Sequence, residues 1–206
     1  MILFLPVSGC MCSSAPARTP APAFNAKAIG SAAVAAYDKN GDGKIELSEM
    51  SSSLKSAVKD KSGDLPHDSD GDKALNASEI AARIESIEKS RIGRMSIACE
   101  VKLDGKPVNA ATVTFQPEPF LGGVVQAASG TTDSSGVAII KGDVDGVQPG
   151  FYSIQISKKD ASGKETLPAR YNTETEFGRE IAQGLDSLRG SLITLSLTSD
   201  KPPSKK

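Results

Sequence analysis

The chain contains no tryptophan, three tyrosines and six phenylalanines in 206 residues. A core of large stacked rings is therefore excluded, and Ala, Val, Ile and Leu must fill the interior. One histidine, His67, excludes a zinc site built from several imidazoles. It also leaves the serines of the C-terminal half without an imidazole base. Cys10, Cys12 and Cys99 form no C-x-x-C pair, so a thiolate zinc or redox motif is missing as well. Basic residues form no block apart from the short Lys201 to Lys206 tail, and the formal net charge is −1. Nucleic-acid binding through an electrostatic footprint is excluded on that ground. Glu174 and Glu176, or Asp143 and Asp145, read as loop carboxylates, not as an acid/base pair. The reading is non-catalytic.

What the sequence does have is oxygen ligands at regular spacing. Asp38-Lys39-Asn40-Gly41-Asp42-Gly43-Lys44-Ile45-Glu46-Leu47-Ser48-Glu49 carries oxygen-bearing side chains at loop positions 1, 3, 5, 9 and 12. Gly43 at position 6 permits the left-handed turn around an ion. A hard divalent cation takes carboxylate and amide oxygens on alternating residues, a backbone carbonyl at position 7 and a bidentate carboxylate at 12. The stretch resembles the calcium loop of the EF-hand family. That resemblance assigns Asp38, Asn40, Asp42, the Lys44 carbonyl, Glu46 and Glu49 as Ca²⁺ ligands.

The pattern returns thirty residues later in Asp68-Ser69-Asp70-Gly71-Asp72-Lys73-Ala74-Leu75-Asn76-Ala77-Ser78-Glu79. Here the ligands are Asp68, Asp70, Asp72, the Ala74 carbonyl, Asn76 and Glu79. Lys73 stands where the family has glycine, and a left-handed non-glycine residue costs on the order of 1 kcal/mol. Two calcium sites are expected, the second weaker. Ile45 and Leu75 occupy equivalent positions and should pair across the loops. Two ion-free polar turns would leave the tandem repeat unexplained.

Met1 to Cys10 is a short apolar run ending in Val7-Ser8-Gly9-Cys10, too short to span a bilayer. The ending resembles the lipobox of bacterial lipoprotein signal peptides, which implies lipidation of Cys10 and an exported protein anchored to a bacterial membrane, facing the periplasm or the cell surface. No Lys or Arg precedes the run, so a basic segment would require an upstream start. Residues 11–24, rich in Pro, Ala and Ser, read as a tether.

Asn25 caps a helix over Ala26 to Tyr37, and Leu47, Met50, Leu54 and Val58 recur at helical spacing. Gly63 and Pro66 forbid a regular helix entering the second loop. Asn76 and Glu79 form a capping-box pair for a helix whose stripe is Ile80, Ile84 and Ile87. Past a polar linker the period becomes two: Ile97, Cys99, Val101 and Leu103 alternate with polar residues. Strands follow at Val113–Phe115, Ala128–Thr132, Val137–Ile140, Phe151–Ser157, Arg179–Ala182 and Leu192–Leu197. The expected fold is α+β and multidomain, with an N-terminal helical EF-hand pair (25–92) before a C-terminal antiparallel Greek-key β-sandwich (95–199) and a basic tail (200–206).

Leu103-Asp104-Gly105-Lys106-Pro107-Val108, Ala111 to Phe115, Gly130 to Asp133 with Gly136, Pro149 to Tyr152 and Leu167 to Asn172 resemble carboxypeptidase-regulatory-like, transthyretin-like domains. Such domains are generally non-catalytic accessories. Hydroxyisourate hydrolase shares the fold, but Leu188 replaces the tyrosine of its C-terminal motif before Arg189-Gly190-Ser191, and the segment has no histidine. Together the features resemble bacterial exported EF-hand lipoproteins. Three roles stay open: calcium as a structural lock, a sensor that opens a groove, or a dockerin-like or carbohydrate-binding module. Burial of the Ile80, Ile84, Ile87 stripe would favour the lock.

Overall fold

The computed structural model describes residues 19–59, 63–143, 145–184 and 192–199. Over these residues the chain is mostly β, with ten strands in three sheets and three helices. This corrects the expected α+β arrangement of a helical pair followed by an antiparallel Greek-key sandwich. The helical segments are too short and too few to make two complete helix–loop–helix units. The middle helix has seven residues, Pro66 lies in a turn, and none of the described residues 63–67 before the second loop is helical.

Helix α1 spans Ala26–Tyr37, and the Asn25 side chain accepts the Ala28 amide at its start. Helix α2, Ser52–Val58, begins later than the spacing of Leu47 and Met50 suggests. Those two lie in a turn, and Ser51 supplies the cap by accepting the Leu54 amide. Helix α3, Ala77–Lys89, starts with the expected capping box of Asn76 and Glu79. Gly30 lets α1 cross the start of α3, because a Cβ there would lie 2.1 Å from the Ala77 carbonyl oxygen.

Two three-residue strands, β1 (Lys44–Glu46) and β2 (Ala74–Asn76), form the smallest sheet. They are antiparallel, with Ile45 opposite Leu75. In the second sheet β3 (Ile97–Leu103) pairs with β4 (Lys106–Pro107), β7 (Val137–Ile140) and β10 (Leu192–Leu197). Strand β10 runs parallel to β3, a further departure from the all-antiparallel expectation. The third sheet has the order β6-β5-β8-β9, from β5 (Thr112–Pro117), β6 (Ala128–Thr131), β8 (Gly150–Ser157) and β9 (Gly178–Ile181).

The apolar sides of both large sheets and of the three helices share one core. Ile97, Cys99, Val101, Val113, Phe115, Ile154 and Ile156 are buried by strict alternation along their strands. Helix α2 packs on β8 and β9, and α1 packs on the short 3-10 turn Pro119–Leu121. Residues 19–24, read as the end of a tether, lie against this body: Phe24 is buried, and Gly93 leaves room for the Thr19 carbonyl. Burial pushes the Cys99 thiol up to about 12. Cys99 should therefore stay unmodified by iodoacetamide at mildly alkaline pH until denaturant opens the core, as read by the mass of its peptide.

Candidate metal centre

Both repeats fold into the same loop, because the carboxylates at the first, fifth and last positions of each are claimed by backbone amides of their own turn. In the first loop the two Asp38 oxygens accept the amides of Gly41 at 2.6 Å and Gly43 at 2.8 Å. Asn40 accepts from Asp42, and Asp42 accepts from Lys44. Glu49 closes the turn: one oxygen accepts the amides of Lys39 and Asn40, the other that of Glu46. Its burial, unusual for a carboxylate, follows from these donors. The donors hold Glu49 below the usual carboxylate range, the Glu46 amide foremost, and the Gly43 amide does the same for Asp38.

The second loop repeats the pattern, with the Ser69 hydroxyl in place of one amide. Asp68 accepts from Gly71 and Lys73, Asp70 from Asp72, and Asp72 from Ala74. Glu79 takes the Ser69 amide at 2.7 Å, the Ser69 hydroxyl at 2.8 Å and the Asn76 amide at 3.0 Å. Lys73 adopts φ 68°, the left-handed conformation that Gly43 holds in the first loop.

One carboxylate oxygen from each of Asp68, Asp70 and Glu79 lies within 4.8 Å of the other two. Oxygens on opposite sides of an ion bound at 2.3–2.6 Å stand about 5 Å apart, so this triad could hold a metal ion. Charge crowding marks the same spot. The Asp72 amide favours the Asp70 anion, but desolvation and the nearby carboxylates of Asp72 and Glu79 outweigh it and raise the Asp70 carboxyl. A cation relieves that crowding directly.

The other assigned ligands are placed differently. Among the described residues the first loop's Asp38, Asp42 and Glu49 form no comparable acidic triad, its third position being the amide Asn40 where the second loop has Asp70. The Asp72 carboxylate meets the Lys44 ammonium, which holds it below its ordinary range. The Asn76 oxygen is occupied by the amides of Ser78 and Glu79 as the α3 cap. Glu46 is exposed and, among the described residues, takes only the Ser48 hydroxyl. Lys44 and Ala74 sit on the paired strands β1 and β2, which bring the two loops side by side. Cys10 lies outside the described residues.

Sequence reasoning missed the residues that join these loops to the sheets: Tyr37, Arg83, Glu118 and Glu180. A signal was available, since Tyr37 and His67 each stand one residue before a loop's first aspartate. No family model matches the chain, and no curated protein is found to be similar to it.

Proposed function

We propose that the chain binds Ca²⁺ through the two paired loops and uses the ion as a structural lock on its helical segments. The observation that carries this reading is the convergence of Asp68, Asp70 and Glu79 on a span that fits one coordination sphere. All-oxygen donors, with no sulfur or imidazole among them, suit a hard cation over zinc or copper. Antiparallel pairing of Ile45 with Leu75 supports two sites acting together. The stripe Ile80, Ile84 and Ile87 is buried, which supports a lock over a groove for a partner. Lys44, from the first loop, neutralises part of the second loop's charge and would have to yield Asp72 to an ion there.

The same proposal makes the protein non-catalytic, because its one histidine leaves the serines without an imidazole base, and makes it exported and anchored through a lipidated Cys10, on the strength of Val7-Ser8-Gly9-Cys10. Among the described residues no helix is long and apolar enough to cross a membrane.

Calorimetric titration with calcium, paired with thermal melts, tests the reading. At an ion concentration about 100 times the dissociation constant, one site that binds only the folded chain adds roughly 2.7 kcal/mol. For a chain of this length that raises the melting temperature by about 5–10 °C. Binding heat with melts that superimpose in chelator and in calcium would remove the lock; no binding heat would remove the calcium reading.

A further inference from the structure

The residue just ahead of each loop is held by a buried carboxylate of the β body. Tyr37 precedes Asp38, and its hydroxyl donates to Glu118 Oε2 at 2.5 Å. His67 precedes Asp68, and its Nε2 lies 3.1 Å from Glu180 Oε2. Arg83 on α3 takes the other Glu180 oxygen. Glu118 follows β5, Glu180 lies within β9, and both are 4% exposed. A carboxylate so buried is costly to leave unpaired, so it fixes its partners in place. Burial raises the Tyr37 phenol above its usual range, with the hydrogen bond to Glu118 acting in the same direction, so the hydroxyl stays a donor.

An apolar contact runs beside each polar one. Ile45 and Leu75, opposite each other on β1 and β2, line a small cavity together with Phe120 and Phe151. Phe120 stands two residues after Glu118, and Phe151 is the cross-strand partner of Glu180. The two rings are 6.0 Å apart, centre to centre. The β body thus contributes side chains to the same cavity as the paired loop strands.

We infer that Glu118 and Glu180 are positioning residues for the two loops, through which ion occupancy is transmitted to the β5-β8-β9 sheet. The inference rests on the calcium reading above. An ion that fixes Asp38 and Asp68 also fixes the adjacent Tyr37 and His67, whose side chains are bonded to the body. Coupling of this kind is reciprocal, so an ordered sheet in turn tightens ion binding.

The test is hydrogen–deuterium exchange on the full chain, in calcium and in chelator, read on peptides covering β8 and β9, with calorimetric calcium titration alongside. Calcium should slow exchange there by about ten-fold in the wild-type chain. The double variant Tyr37→Phe, His67→Ala should still bind calcium, within about five-fold of wild type, and lose most of the slowing. The variant Glu118→Gln keeps an acceptor oxygen for the Tyr37 hydroxyl and should retain most of it, whereas Glu180→Gln, whose two oxygens face His67 and Arg83, should lose part. Circular dichroism checks folding; if the double variant fails it, Tyr37→Phe alone should lose part of the slowing. Wild-type binding without slowing, or full slowing in the loop-side variants, overturns the coupling and leaves the calcium reading intact. No binding by the wild-type chain overturns both.

Discussion

Replacing Gly178 with valine is expected to lower the melting temperature by about 6–12 °C, corresponding to roughly 3 kcal/mol for a chain of this size. Gly178 lies on β9 opposite Ser153, on the sheet face covered by α2. A Cβ built there would stand 1.9 Å from the Ser53 carbonyl oxygen and 2.6 Å from its carbon. Both are backbone atoms, so no side-chain rotation relieves the clash, and α2 must move. With seven residues α2 cannot hold itself together in water. It depends on burying Leu54, Ala57 and Val58 against the body. Displacing it therefore loses that burial in addition to the direct overlap. Gly178→Ala should act in the same direction with a smaller drop. A valine variant that melts within about 2 °C of wild type would show that α2 contributes nothing to holding the fold together.

How the helices meet the sheets was not legible in the sequence, while the elements themselves largely were. The bounds of α1, β3, β7 and β10 coincide with what capping and alternation predict, since those signals are local. The two loops were legible for the same reason: amide donors and carboxylate acceptors lie within one short turn. The parallel pairing of β10 with β3 was not, because alternation says nothing about which way a strand returns. Leu47 and Met50 misled the reading of α2, since helical spacing ran on across the Ser51 cap. Gly178 against Ser53 and Gly30 against Ala77 are steric relations between distant residues, visible only once the chain is folded. Nothing in the sequence singles out Glu118 and Glu180, which the structure buries against Tyr37 and His67. The candidate site was thus legible as far as the two loops and the acidic triad Asp68, Asp70 and Glu79; its attachment to the rest of the chain was not.

Glu79→Gln is expected to weaken calcium binding at the second loop by roughly 100-fold, read by calorimetric titration. Glu79 closes this loop by accepting from Ser69 at one end and Asn76 at the other, and it supplies one corner of the acidic triad. The amide isostere has one acceptor oxygen where the carboxylate has two. Its NH₂ must then face a backbone N–H, donor against donor, at Ser69 or at Asn76. The variant therefore loses a formal charge and misaligns the turn together. Glu85→Gln separates those two effects, for it makes the same change in charge at an exposed residue of α3 that belongs to neither loop. That variant should shift affinity by less than about three-fold. Equal losses in the two variants would mean that net negative charge alone gathers the ion. A large loss confined to Glu79→Gln would mean that the closed loop does, and an unchanged titration in Glu79→Gln would remove the second loop as an ion site.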